Sequence, residues 1–251
     1  IAYVVLGERK LSIEEHGNLY TLYKEDHQKF IDYNIRDVEL IERLEEKMGL
    51  ITLAITMAYR GGVNYADTFG TTAIWDSIIY RELNATGTIV PPNKHKMKSP
   101  YPGGYVKEPM VGSHDWVVSF DLNSLYPNLI VQYNMSPETI LPNKSFPHGV
   151  DYYLNKSCDT EGVSVAANGS AFTKEFQGIV PKIIENYYSE RSVIKKSMLI
   201  AQQAYEKTKT IELEREINQL ENRQMAIKIL LNSLYGALGN QYFRYFDMRV
   251  A

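Results

Sequence analysis

Two apolar stripes near the end of the chain constrain the fold more than any other feature. From Pro181 to about Tyr205, the residues Ile184, Tyr187, Arg191, Ile194, Met198 and Tyr205 recur at helical intervals. From Ile211 to Leu238, Leu213, Ile217, Leu220, Gln224, Ile227, Leu231 and Leu234 alternate steps of four and three. Such spacing lines one face of an α-helix. Lys207-Thr208-Lys209-Thr210 separates the stripes and contributes nothing apolar. Two amphipathic helices joined by so short a turn pack as an antiparallel hairpin.

The hairpin gathers charge. If the chain reverses between Lys209 and Thr210, Arg191 faces Lys228 and Lys195 faces Gln224. Arg191 and Lys195 lie one turn apart, and Lys228, Asn232 and Tyr235 share a face of the second helix. Three cations and an amide thus meet at one level, away from the tip. Like charges repel unless an anion joins them, and a polyphosphate is such an anion. The alternative is that each cation snorkels to solvent beside an acidic neighbour such as Glu190. Spacing leaves both open. The chain has no Gly-x-x-x-x-Gly-Lys-Ser/Thr loop, so any phosphate grip would come from a helix face.

A second stretch, Val117-Val118-Ser119-Phe120-Asp121-Leu122-Asn123-Ser124-Leu125-Tyr126-Pro127, reads as a buried strand, a polar turn and a helix. Val117 to Phe120 are mostly β-branched or aromatic, as a strand requires. Pro127 suits the first helical position and Ser124 can cap it. Asp121 would then end a core strand beside free backbone N–H groups. A carboxylate there can hold a hard cation while the N–H groups receive phosphate oxygens. The plain alternative is an aspartate that merely ends a strand.

Upstream, residues 24–48 have the pattern of a helix ending at Gly49, with Phe30, Tyr33, Asp37, Ile41, Leu44 and Met48 on one stripe. Asp37 falls on that apolar face. A buried carboxylate needs a metal or an ion-pair partner, and Arg36 or Arg43 could be the partner. Residues 72–80 predict a short, well-buried helix. Pro91 to Pro100, with Lys94, Lys96 and Lys98, reads as a linker loop or a phosphate-contact loop. Tyr101-Pro102-Gly103-Gly104-Tyr105 allows close backbone approach. Residues 140–180 read as irregular β structure, with Asn168-Gly169 as a hairpin turn.

Composition narrows the class. The chain has 251 residues, 44% of them hydrophobic, with room for two or three cores. Its net charge of −3 does not mark a nucleic-acid binder, so such binding must rest on local basic clusters. Tyrosine is abundant, 19 residues against 8 phenylalanines, which suits wet grooves as well as ordinary cores. One cysteine, Cys158, allows no internal disulfide, and with no secretory leader or membrane-length run the expected setting is cytoplasmic. In that setting Asn-x-Ser/Thr triplets such as those at Asn84, Asn134, Asn155 and Asn168 are chance. With no initiator Met, the chain is expected to begin inside a larger protein.

Four segments, in order, resemble motifs of the family B DNA polymerases. Asp121-Leu122-Asn123-Ser124-Leu125-Tyr126-Pro127 resembles the first polymerase motif. Lys228 to Gly236 resembles the second, K-x-x-x-N-S-x-Y-G. Tyr33 to Asp37 resembles the Y-x-x-x-D motif of the proofreading exonuclease, and Tyr101 to Gly104 the Y-x-G-G linker. A wider similarity to the replicative polymerases of T-even phages runs through Asp26 to Ile31, Val106 to Pro109 and Tyr235 to Asn240, although only 36 residues between Arg191 and Lys228 make the hairpin shorter than the T-even form.

The resemblance implies roles. Asp121 and the Leu122 carbonyl would hold Mg²⁺, one of two ions, with the second carboxylate supplied outside this chain. Ser124 and Leu125 N–H groups would hold triphosphate oxygens, and Tyr126 would lie under the sugar. Arg191, Lys195 and Lys228 would grip the triphosphate, supported by Asn232. Tyr235 and Gly236 would meet DNA at the new base pair, and Tyr101, Gly103 and Gly104 would contact it elsewhere. Asp37 would be an exonuclease metal ligand, with Tyr33 placing the attacking water. The implied partners are primer-template DNA, dNTP, and a sliding clamp and other replisome proteins bound through other segments, with no membrane.

The expected fold class is α+β, part of a right-hand polymerase. Residues 1–50 would end a 3′–5′ exonuclease domain, 51–92 connect, 93–178 form the first part of a β-sheet palm, 179–240 the two-helix fingers, and 241–251 the return into the palm. The family's Asp-Thr-Asp motif does not occur in these residues, and the first exonuclease motifs, with their Asp-x-Glu pair, would lie upstream of Ile1, so the 251 residues alone are expected to be inactive. A rival reading is a catalytically dead polymerase-like scaffold that binds DNA.

Overall fold

The two stripes become the two longest helices of the protein. A computed structural model describes residues 1–93, 97, 106–146, 152, 162–166 and 168–250. In chain order the helices are α1 (Ala2–Leu6), α2 (Leu19–Glu25), α3 (His27–Met48), α4 (Leu50–Gly61), α5 (Thr71–Ala85), α6 (Leu125–Tyr133), α7 (Ile179–Thr208) and α8 (Ile211–Leu238). One antiparallel sheet contains β1 (Ile140–Ser145), β2 (Val163–Val165) and β3 (Ser170–Thr173), in the order β1-β3-β2. The chain divides into two compact units, Ile1–Ile55 and Thr56–Ala251. Helices with a small sheet accord with the α+β expectation. Among the described residues, no helix is long and apolar enough to cross a membrane.

In the first unit the expected helix over 24–48 is broken at Asp26. The Asp26 side chain accepts the Lys29 N–H and caps α3, while its own N–H closes α2 onto Leu22. α3 ends where expected, at Gly49 with φ 59°. Its stripe is only partly buried. Leu40 is the buried residue of the helix, and Ile41 and Met48, expected on the core side, are exposed. The period was right, but this small unit packs only a narrow arc of the helix against α1 and α2.

The second unit has one continuous core. α7 and α8 pack along their stripes, with Ile184, Ile194, Met198, Ile227, Leu231 and Leu234 buried between them and their neighbours. Lys209, in the left-handed conformation, ends α7, and Thr210 opens α8. α5 lies across the base of the hairpin with Ile74, Trp75, Ile78 and Ile79 buried, as the sequence predicts. Trp75 is fully buried, and its Nε1 donates to the Leu230 carbonyl and to Ser233 Oγ, both at 3.2 Å. Phe243, Phe246 and Val250 return the chain into the same core.

The start of α7 is fixed by side chains from the loop after α6. Gly178 N–H donates to Asn134 Oδ1 at 2.8 Å, Ile179 N–H to Glu138, and Val180 N–H to Ser136 Oγ at 3.4 Å. These satisfy donors that a helix start leaves without partners. Asn134 also donates from its amide to the Thr173 and Phe176 carbonyls, so one residue ties α6, the sheet and α7 together. The Asn168-Gly169 turn joins β2 and β3 as predicted, with Gly169 at φ 82° against the Phe146 carbonyl.

One prediction fails here. Val117 to Phe120 form no strand, and Trp116, Val117, Val118 and Phe120 are exposed, Phe120 at 92%. Strand formers gain from a partner strand beside them, and among the described residues none runs alongside. The sheet is built from 140–173 instead.

Candidate functional site

The helix after Asp121 opens two residues earlier than the proline suggests. α6 begins at Leu125, and Pro127 sits inside the first turn, where its missing N–H still costs nothing. Ser124 is at the N-cap but does not cap with its side chain. It adopts φ 54°, ψ 47°, and its hydroxyl donates to Asn123 Oδ1 at 3.3 Å. The Asn128 amide closes onto the Asn123 carbonyl at 2.9 Å and the Asn128 N–H onto Ser124 at 3.1 Å. Within the helix, the N–H groups of Leu125 and Tyr126 therefore have no acceptor. Asp121 and Leu122 stand exposed just before this turn.

α6 packs on both α7 and α8. That contact brings Tyr126 face to face with Tyr235, their rings parallel to within 5° and 4.6 Å apart. Two segments more than a hundred positions apart in sequence thus meet. From Tyr235, Asn232 and then Lys228 follow along α8, both exposed. Gln224 comes one turn later, on the buried side of the helix. From Tyr235 to Gln224 this ladder rises ~16 Å at 1.5 Å per residue.

Arg191 reaches the ladder at Gln224. Its Nε and Nη2 both donate to Gln224 Oε1, at 3.2 and 3.1 Å. The expected register put Lys195 opposite Gln224 and Arg191 opposite Lys228. The long arginine side chain spans a helical turn and takes the amide instead. Lys195 is exposed on α7. Glu190 pairs with none of the three cations: both of its oxygens accept from Arg60, which also lies 4.7 Å over the Tyr187 ring. Burial raises the Tyr187 hydroxyl above its ordinary pKa.

In the first unit, Asp37 pairs with Lys10, Nζ to Oδ2 at 2.8 Å, and not with Arg36 or Arg43. Those two arginines both bind Glu8. The Asp37 hydrogen bond raises the Lys10 pKa, and Lys10 also lies 5.7 Å from the Tyr33 ring centre. Asp37 Oδ1 is buried with no partner among the described residues.

A hard divalent cation takes oxygen ligands, and Mg²⁺ in particular binds through one or two carboxylates completed by water and substrate phosphates. The exposed Asp121 with the Leu122 carbonyl fits half of such a set. Asp37 fits less well, since Lys10 already holds one of its oxygens. Among the described residues no three His, Cys, Asp or Glu side chains converge on a metal position. Tyr101, Gly103 and Gly104 lie outside the described residues, as do Cys158, Lys94, Lys96 and Lys98.

The contacts that hold these elements in place could not be read from spacing. Asp76, on a helix with no evident chemistry, binds Arg244 through both oxygens, Nε to Oδ1 at 2.7 Å and Nη2 to Oδ2 at 3.2 Å. Arg244 also donates to the Pro91 carbonyl. Gln224 carried a visible signal, an amide on an otherwise apolar stripe.

The comparisons agree on one family. Residues 69–251 match the family model described as DNA polymerase family B. The chain is 31% identical to the DNA-directed DNA polymerase of Escherichia phage RB69 over 94% of its own length and 31% of that protein. It is 31% identical to that of Enterobacteria phage T4 over 97% of its length and 32% of that protein. It is 35% identical to DNA polymerase 1 of Pyrococcus abyssi over 61% of its length and 17% of that protein. The chain thus spans about a third of the phage relatives. The structure of the family B DNA polymerase from Pyrobaculum calidifontis superposes with a TM-score of 0.63, covering 98% of this chain and 30% of that one at 23% identity, which speaks to the fold.

Proposed function

The chain belongs to the family B DNA polymerases, and on that premise we propose that it is part of a replicative polymerase that transfers a nucleotide from dNTP to a primer 3′-hydroxyl. The observation that carries this reading is the Tyr126–Tyr235 stack. It joins the turn after Asp121 to the α8 face bearing Asn232 and Lys228, and in this reading the carboxylate, the N–H groups at the helix start and the lysine serve one nucleotide. In this reading residues 1–50 end an exonuclease domain, 93–178 begin the palm and 179–240 are the fingers.

Lys228, Arg191 and Lys195 neutralise the triphosphate, as cations around a leaving pyrophosphate must. The N–H groups of Ser124 and Leu125 receive phosphate oxygens at the helix start. Tyr126 packs under the sugar, and Tyr235 meets the new base pair. Asn232 supports the phosphates from the same face as Lys228. Asp121 and the Leu122 carbonyl would hold Mg²⁺, which polarises the phosphate and lowers the pKa of the attacking hydroxyl. The second carboxylate comes from outside this chain, so the 251 residues alone extend no primer. Proofreading rests on Tyr33 and Asp37, with the Lys10 ion pair as the competing, purely structural use of Asp37. Primer-template DNA and a sliding clamp complete the proposed partners.

The test is single-turnover incorporation by the full-length polymerase. A hydrogen bond between charged groups is worth about 1.5–3 kcal/mol, so Lys228→Ala should weaken incorporation by roughly 10- to 100-fold. Unchanged incorporation would remove Lys228 from the triphosphate site. A full-length protein that binds primer-template but extends nothing would favour the DNA-binding scaffold.

A further inference from the structure

Gln224 is the polar residue most deeply set in the α7–α8 interface, 5% exposed. It lies on the α8 stripe, among Leu220, Ile227 and Leu231, where an apolar residue would fit the pattern. A buried amide is retained at a cost unless its groups are bonded, and here both ends are. The oxygen accepts two N–H groups of Arg191. The nitrogen donates to Glu221 Oε1 at 3.0 Å.

The direction of this chain follows from chemistry. An ionised carboxylate only accepts hydrogen bonds, so Glu221 obliges the amide to present its NH₂ side. The oxygen is therefore turned to Arg191. A guanidinium has five N–H donors, and Gln224 takes one from Nε and one from Nη2. The Nη1–Nη2 end of the fork is left, and that end matches two oxygens of one phosphate. Gln224 is also neutral. It fixes the arginine without cancelling its charge, and it keeps the Glu221 carboxylate from doing so.

We propose that Gln224 is a positioning residue for Arg191. It holds the guanidinium side-on, by an amide that Glu221 orients, so that the end-on edge and the full positive charge remain for a phosphate of the bound nucleotide. This rests on the triphosphate role of Arg191 given above.

The test uses the full-length polymerase and two readouts, the apparent Kd of the incoming nucleotide in single-turnover incorporation and the inhibition constant of inorganic triphosphate. Gln224→Met keeps the length and removes the acceptor. Loss of a hydrogen bond to a charged group should raise both constants about 10-fold. The primer-template Kd and the melting temperature serve as readouts that a general packing defect would move and this variant should not. In an Arg191→Ala background, Gln224→Met should add less than about 2-fold, because coupled residues are not additive. Gln224→Glu restores the acceptor but adds a counter-charge, so it should weaken inorganic triphosphate at least as much as Met does. Glu221→Gln, at a half-exposed position, should give a smaller rise in the same direction, because the amide is no longer oriented.

Three results would overturn the proposal. They are unchanged constants in Gln224→Met while Arg191→Ala raises them, a Gln224→Met effect that persists in full without Arg191, and wild-type affinity in Gln224→Glu. If Arg191→Ala itself changes neither constant, the triphosphate role of Arg191 fails, and the positioning role falls with it.

Discussion

Replacing Trp75 by Phe removes a buttress from the back of α8, and the structure fixes the size of the effect. Trp75 is wholly buried, against the helix that carries Lys228, Asn232 and Tyr235. Phenylalanine is smaller by on the order of 40 Å³, and at ~24 cal/mol per Å³ a cavity of that size costs ~1 kcal/mol. The apolar area no longer buried adds ~1 kcal/mol at ~25 cal/mol per Å². The lost N–H donor adds little more, about 0.5–1 kcal/mol, because Ser233 Oγ still donates to the Leu230 carbonyl at 2.8 Å and leaves no orphan acceptor. The sum is a loss of about 2–3 kcal/mol. Urea unfolding of the 251-residue chain, followed by circular dichroism and by fluorescence, measures it. The only other tryptophan, Trp116, is 92% exposed, so the substitution should also leave a fully water-like emission spectrum before any urea is added. Trp116→Phe is the control and should stay within about 0.5 kcal/mol of the parent. A Trp75→Phe loss below ~1 kcal/mol would refute the buttress, since a relaxed site would have closed the cavity.

Two further substitutions probe the same unit. At Gly178 an added Cβ would stand 2.7 Å from Ser136 Cβ and 3.0 Å from Thr139 Cγ2, both held in the hydrogen-bonded loop that starts α7. Gly178→Ala should therefore lose about 1–3 kcal/mol by overpacking, and a melting temperature equal to that of the parent would contradict the tight loop. Burial pushes the Tyr245 hydroxyl up to about 12 from an ordinary value of 10.0, and it has no partner among the described residues. Because the folded pKa lies above the unfolded one, stability does not vary with this group's ionisation below pH 10, and it falls as pH rises towards 12, where the unfolded phenol ionises and the buried one does not. Tyr245→Phe should flatten the fall in stability across that window and gain about 1 kcal/mol at neutral pH. Denaturation series at stepped alkaline pH would show it, and an unchanged alkaline slope would rule Tyr245 out.

How far the sequence could be read depended on the range of the interaction. The α7–α8 hairpin, its break at Lys209 and the Gly49 stop of α3 are local consequences of period and backbone freedom, and they appear where the residues put them. So does the Asn168-Gly169 turn. The strand over Val117–Phe120 was read from propensity alone, and propensity does not form a strand without a neighbour to pair with. The start of α6 was misplaced for a similar reason: a proline is tolerated throughout a first turn, so it does not mark which residue comes first.

The candidate site divides in the same way. The residue types were legible: a carboxylate before a polar turn, a lysine, asparagine and tyrosine on one helical face, and cations on the opposing helix. Their partners were not. Asp37 took Lys10 instead of Arg36 or Arg43, Glu190 took Arg60, and Arg191 took Gln224 one turn from where simple register put it. Periodicity says which residues share a face, because helix geometry repeats along the chain. It does not say which of several long side chains reaches a given acceptor. That choice is made where elements distant in sequence pack, and only the tertiary structure brings Tyr126 against Tyr235 and turns the Gln224 oxygen towards Arg191.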